Sequence, residues 1–237
     1  MLKGYGLCKN FGGVAALNHV DISLEKGSLV GLIGPNGAGK TTLFNAIAGA
    51  FPLSSGTLEF NGQPLRGRSA NEICRLGIAR TFQVPRPFAE MTCLENVLVP
   101  LVNRPLGGDR SVLLEEAREA LAFVGLDHRD NTPAKELNLV EKKQLEMARA
   151  LSTNPKLLLL DEVLGGLNTQ EIGAAVELIA SLSQGRGITV LWIEHVMGAI
   201  MGAAERVIVL DQGEKLMEGT PEEVAHDPRV IHAYLGT

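Results

Sequence analysis

Aromatic residues make up only 4% of the 237 positions. So thin a supply argues against a surface built to stack bases. Positive charge is also scarce: 22 Lys and Arg face 27 Asp and Glu, a formal net charge of −5. That balance leaves no basic footprint for nucleic acid. No apolar run approaches the ~18 residues that a membrane span requires. The start, Met1-Leu2-Lys3-Gly4-Tyr5, leads into no apolar run of the kind a signal peptide needs. Cys8, Cys74 and Cys93 are too widely separated for metal spacing and read as buried hydrophobes or bystander thiols in a reducing compartment. A soluble, cytosolic chain without a nucleic-acid partner is expected, brought to any membrane by other chains. Its length suits one large α/β domain, with room for an inserted subdomain.

What the chain does have is a glycine-rich stretch, Gly34-Pro35-Asn36-Gly37-Ala38-Gly39-Lys40-Thr41-Thr42. The apolar run Leu29–Ile33 precedes it and Leu43–Ala48 follows, which is the order buried strand, loop, helix. In that context Gly-x-x-x-x-Gly-Lys-Thr reads as a phosphate cradle. Glycines let consecutive backbone N–H groups point inward, and the helix N-terminus adds partial positive charge. Lys40 supplies a mobile full charge for the β- and γ-phosphates, and the Thr41 hydroxyl is a hard ligand for Mg²⁺.

Val20, Ile22 and Leu24 alternate with polar residues, as in a half-buried strand. Thr57–Phe60 reads as a strand and Asn61-Gly62 as a hairpin turn. Residues 1–62 thus read as antiparallel strands built around the phosphate loop. Asn71–Leu76 predicts a short helix and Ile78–Phe82 a strand ending at Gln83. From Thr92 to Leu151 the pattern is mainly helical, with Val112, Leu113, Glu116, Ala117, Ala120, Leu121 and Val124 on one amphipathic helix stopped by Gly125. Residues 86–152 are read as an inserted helical subdomain. Leu157–Leu160 suits a strand buried on both faces. Asn168-Thr169-Gln170-Glu171 forms a capping box for the helix that follows. Ile188–Ile193 and Val207–Leu210 are further strands. Thr220-Pro221-Glu222-Glu223 opens a C-terminal helical tail over 220–237.

Chemistry collects at predicted strand ends, where ligands bind in parallel sheets. Asp161 and Glu162 close the Leu157–Leu160 strand. Asp161 is placed to hold Mg²⁺ and Glu162 to polarise an attacking water as general base. His195 ends another apolar strand at the same edge, within reach of a γ-phosphate. Gln83 ends a third.

Taken in order, these residues resemble the ATP-binding subunits of ABC transporters over essentially the whole chain. Gly34–Thr41 matches the Walker A loop, Gln83 the Q-loop, and Leu157–Glu162 Walker B with its catalytic glutamate. Gly165-Gly166-Leu167-Asn168 matches the D-loop, His195 the switch histidine, and Phe11 the aromatic that stacks on adenine. An Asn-Lys-x-Asp guanine motif is absent, which argues against a GTPase. The resemblance implies a P-loop NTPase fold with an antiparallel β subdomain and an inserted helical subdomain. It implies ATP and Mg²⁺ as ligands, the metal held by Thr41, Gln83 and Asp161. It implies catalysis by Lys40, Gln83, Glu162 and His195, and a location on the cytoplasmic face of a membrane. Its partners would be a second ABC ATPase subunit, membrane permease subunits and, indirectly, an extracytoplasmic binding protein. Phe11-Gly12-Gly13-Val14-Ala15-Ala16-Leu17, Ala79–Gln83, Met91–Val97 and the tail Asp227–Gly236 resemble the LivG-type subunits of branched-chain amino-acid importers. Urea or amide uptake ATPases and the lipopolysaccharide-export ATPase look similar, and a soluble non-transport ABC ATPase is the reading from a different class.

One segment departs from the family. Where Leu-Ser-Gly-Gly-Gln is usual, Leu137-Asn138-Leu139-Val140-Glu141 stands. In the family this segment grips the partner subunit's ATP. Asn138 retains helix capping and an amide donor, while Val140 replaces a glycine and Glu141 brings negative charge toward a triphosphate.

Overall fold

A computed structural model describes residues 1–102 and 109–235. Alternating apolar and polar residues put Leu2–Phe11 (β1) and Val14–Leu24 (β2) into an antiparallel pair. β1 also pairs with Ser55–Phe60 (β4), which turns through Asn61-Gly62 into the short Gln63–Pro64 (β5). Both turn residues have positive φ, 51° and 76°, as the tight hairpin requires. The result is a four-stranded antiparallel sheet in the order β2-β1-β4-β5.

Leu29–Ile33 (β3) does not join that sheet. It lies inside a six-stranded one, order β10-β9-β3-β8-β7-β6, so the antiparallel strands flank the phosphate loop rather than carry it. Arg206–Asp211 (β9) and Thr189–Ile193 (β8) flank β3, and Leu157–Asp161 (β7) and Ile78–Arg80 (β6) follow beyond β8, all parallel. Glu214–Gly219 (β10) returns antiparallel along β9. β3, β7 and β8 are buried at every residue, because period-two alternation sends side chains to two different cores. Leu157 and Leu159 pack with β1, β2 and the helix Lys40–Ile47 (α1), while Leu158 and Leu160 pack with the helices on the other face.

Those helices are Cys93–Val102 (α3), Arg110–Phe123 (α4), Leu139–Leu151 (α5) and Thr169–Gln184 (α6), with Ala70–Leu76 (α2) preceding β6. Met197–Ala203 (α7), Pro221–His226 (α8) and Pro228–Leu235 (α9) complete the set. Reciprocal capping boxes start α2, α5, α6 and α8. Leu113, Ala117, Ala120, Leu121 and Val124 are buried along α4, but Val112 is 49% exposed and falls off its apolar stripe. β6 stops at Arg80, earlier than the apolar pattern implies; Thr81 still donates its N–H to Leu159, and Phe82 turns out to solvent. Residues 103–108 of the 86–152 stretch, and Gly236 and Thr237 of the tail, lie outside the described residues.

Candidate active site

β3 delivers the chain at Gly34 and α1 begins at Lys40. Gly34 and Gly39 have φ of 148° and 102°. A Cβ on Gly34 would meet the Leu210 carbonyl oxygen at 2.1 Å, and one on Gly39 that of Ala16 at 2.6 Å. Neither position admits a side chain. Gly39 is the N-cap of α1 and offers no side-chain acceptor, so the first N–H groups of the helix are left for an anion. Pro35 and Thr42 are half-buried and Ala38 buried, while Asn36, Gly37 and Thr41 are exposed. The Thr41 hydroxyl thus stands at the open mouth of the loop. Lys40 is buried and folds back, donating to the carbonyls of Gly34 (2.6 Å) and Pro35 (2.9 Å). Burial lowers its pKa from 10.5, against the opposing pull of the Glu162 and Asp161 carboxylates.

Gln83, Glu162 and His195 come together beside the loop. Glu162 follows β7 with φ of 49°, held there by its N–H donating to Ile193 (2.9 Å). One carboxylate oxygen lies 2.8 Å from His195 Nε2, and the other accepts from the Gln83 side-chain amide. Asp161, at the end of β7, is 4% exposed and pairs through Oδ2 with Arg80 Nη2 at 2.6 Å.

Three residues at this edge escaped the sequence reading. Arg80 ties Asp161 to the Asn45 side chain on α1 and lies between the Phe44 and Phe82 rings. Glu194 is buried, and its carboxylate accepts from the N–H of Leu164 (2.6 Å) and of His195 (2.9 Å), fixing the turn after Glu162 to the histidine. Lys143 on α5 donates to the carbonyls of Val163 (2.9 Å) and Gly165 (2.6 Å). Apart from the Glu194–His195 contact, these bonds join residues 20 or more positions apart. The local signal at Arg80 and Glu194 was a charged residue at the edge of an apolar run; Lys143 had none.

Phe11 ends β1, 48% exposed, edge-on to Phe51 with centroids 5.3 Å apart and Lys9 over its ring. An accessible aromatic at a strand end suits a planar base.

At the start of α5, Asn138 accepts from the Glu141 N–H and donates its own N–H to the Glu141 carboxylate, both at 2.9 Å. The second Glu141 oxygen pairs with Arg129 at 2.8 Å. Burial raises the Glu141 pKa, but the Asn138 N–H and Arg129 outweigh it and leave the value lowered. Its charge is therefore paired within the chain by Arg129 and the Asn138 N–H. Val140 turns away from the helix start and lines a cavity of about 320 Å³ between α4, α5 and α6, with Phe123, Met147 and Leu178.

A sequence model of the ABC transporter ATP-binding domain matches residues 17–165. The chain belongs to the ABC transporter ATPase family. A second family model, the branched-chain amino acid ATP-binding cassette transporter, matches 214–237. The chain is 41% identical over 249 residues to the high-affinity branched-chain amino acid transport ATP-binding protein LivG of Salmonella typhimurium, covering 100% of this chain and 98% of the relative. It is 38% identical over 249 residues to the high-affinity branched-chain amino acid transport ATP-binding protein BraF of Pseudomonas aeruginosa, covering 100% of this chain and 98% of the relative. The crystal structure of the ADP conformation of MJ1267, an ABC transporter cassette, superposes with TM-score 0.91 at 32% identity, covering 100% of this chain and 99% of that one. A dimeric cassette, MJ0796 bound to ADP and Pi, superposes with TM-score 0.85 at 25% identity, covering 93% and 99%. The chain is thus a nucleotide-binding P-loop ATPase of the ABC type. Among the described residues, no helix is long and apolar enough to cross a membrane.

Mg²⁺ fits the donors at this edge. It takes hard oxygens, prefers few protein ligands, and draws the rest from phosphate and water. The Thr41 hydroxyl, an Asp161 carboxylate steadied by Arg80, and the Gln83 amide oxygen are donors of that kind. Among the described residues no cluster of three His, Cys, Asp or Glu forms a dedicated cage.

Proposed function

We propose that this chain is the ATP-hydrolysing subunit of an importer for branched-chain amino acids, working on the cytoplasmic face of a membrane against permease subunits. The observation that carries the catalytic part is the meeting of Gln83 and His195 on the two oxygens of Glu162, beside a glycine loop shaped for phosphates. The match of the tail to the branched-chain amino-acid family supports the substrate class, and the negative net charge disfavours a soluble relative that handles nucleic acid.

In this reading Lys40 leaves the Gly34 and Pro35 carbonyls to meet the β- and γ-phosphates, and α1 presents its free N–H groups to them. Phe11 stacks on the adenine. Thr41, Asp161 and Gln83 would hold Mg²⁺, which supplies Lewis-acid charge neutralisation on the phosphates. Glu162 takes a proton from the attacking water, and His195 orients that carboxylate and then contacts the γ-phosphate. Two cassettes dock head to tail, and Asn138 and the α5 N-terminus face the partner's nucleotide. Val140 stands where the family has a glycine, so a heterodimer whose second subunit keeps that glycine would carry two unlike composite sites. The test is ATP turnover by the chain reconstituted with its permease and second ATPase subunit. Turnover stimulated by a branched-chain amino acid on its binding protein supports the reading, and stimulation by urea, an amide or lipopolysaccharide instead would sink it.

A further inference from the structure

Among the described residues, two hydrogen bonds hold the phosphate-loop backbone from outside its own strand and helix, and both come from the C-terminal part of the chain. At its front end, the Gly34 N–H donates to the Tyr234 hydroxyl at 2.7 Å, across 200 positions. At its rear end, the Ala38 carbonyl accepts from the Gly213 N–H at 3.1 Å, in the turn between β9 and β10. The Leu210 carbonyl occupies the space where Gly34 would carry a Cβ, so the end of β9 is packed directly beneath the loop.

The tail is firmly seated. Val224 on α8 and Val230 on α9 are buried in the core with Val207 and Val209 of β9. Asp227 opens α9 by accepting from the Arg229 N–H (2.8 Å) and pairing with its guanidinium (2.8 Å). Tyr234 lies on the last turn of α9, and its half-exposed ring carries the hydroxyl to Gly34. Desolvation pushes the phenol above its ordinary 10.0, against the Gly34 bond, so it meets the loop as a neutral hydroxyl at neutral pH.

From this geometry we infer that Tyr234 is a positioning residue for the nucleotide: the segment from Gly213 to Tyr234 clamps both ends of the phosphate loop in its receptive shape. Gly34 is where the clamp matters most. Its N–H is the first beyond the β3 ladder and has no strand partner to return to. Its carbonyl is one of the two that Lys40 now holds and must release when a triphosphate arrives. With Tyr234 fixing the N–H, the Gly34 peptide keeps its orientation as Lys40 departs. Without the hydroxyl, that peptide is free to rotate and the loop must be reordered by each nucleotide that binds.

The inference rests on the loop being the nucleotide site. Its test compares full-length wild type, Tyr234→Phe and Lys40→Ala by calorimetric titration with Mg²⁺–ADP and Mg²⁺–ATP. Tyr234→Phe keeps the ring and loses one hydrogen bond, so Kd rises roughly 3–10-fold for both nucleotides. With ¹⁵N-glycine labelling, the Gly34 amide exchanges faster in Tyr234→Phe while the strand amides of β3 do not. A tyrosine that merely fastened the tail would lower the melting temperature and leave Kd of the folded chain unchanged, which overturns the inference. If Lys40→Ala binds as well as wild type, the nucleotide-site reading falls and takes this inference with it. If only Lys40→Ala weakens binding, the clamp alone is refuted.

Discussion

Arg80→Met tests the network behind Asp161. Both members of the Arg80–Asp161 pair are nearly enclosed, with side chains 11% and 6% exposed and a contact of 2.6 Å. The same guanidinium also satisfies Asn45. Methionine keeps most of the aliphatic stem but removes the guanidinium from beside Phe44 and Phe82 and leaves the Asp161 carboxylate buried without its countercharge. Removing one partner of such a pair costs about 3–5 kcal/mol, far above the 0–1 kcal/mol of an exposed pair. For a chain of this size that lowers Tm by roughly 6–20 °C. Urea unfolding in the absence of nucleotide and metal measures it, and Trp192, fully buried on β8, is a built-in fluorescent probe. Adding Asp161→Asn removes the stranded charge, so the double variant should recover about 1–3 kcal/mol relative to additivity. A single-variant loss below about 1 kcal/mol, or strictly additive effects, would refute the claim that this pair is buried and coupled.

Other outcomes follow from the same geometry. Glu162→Gln preserves the size of the side chain but removes the base, so turnover should fall ~10²–10⁴-fold with nucleotide binding retained; tight binding with normal turnover would exclude it as the base. In a heterodimer, that change should stop turnover more fully than the matching change in the second ATPase subunit, and equal losses would remove the asymmetry. Phe11→Ala should weaken ATP binding about 5–10-fold, read by titration, if the ring stacks on the base. The lowered pKa of Glu141 fixes a pH dependence: its pairing with Arg129 stabilises the chain above the ordinary carboxylate value of 4.5 and is lost as pH falls through the lowered one. Since Arg129 is 41% exposed, the gap between wild type and Glu141→Gln should stay below about 1 kcal/mol at neutral pH and close in acid. A gap that does not narrow as the solution is acidified below the ordinary carboxylate value would contradict the assignment.

Local rules made much of this molecule legible. Capping boxes at Asn168 and Thr220, the Asn61-Gly62 turn and the all-apolar Leu157–Leu160 run each encode their geometry within a few residues. The loop at Gly34 is equally self-contained. What stayed hidden depends on distant pairing. Sheet membership of β3 is decided by β8 and β9, some 160 or more positions on. Short α7 lies in a Gly- and Ala-rich stretch with no capping side chain, and β10 alternates weakly because it lies at a sheet edge. Arg80 looks like an ordinary polar residue after an apolar pair until Asp161, 81 positions away, is brought beside it. Glu141 read as an intruding charge because nothing in its neighbourhood announces Arg129.

Glu162 has both oxygens engaged, by His195 and by Gln83, and Lys40 is likewise folded onto carbonyls of its own loop. Each oxygen of the Glu162 carboxylate accepts one bond and keeps a further lone pair. If Glu162 is the base, its two neighbours do not block a water; they fix the direction from which it must arrive.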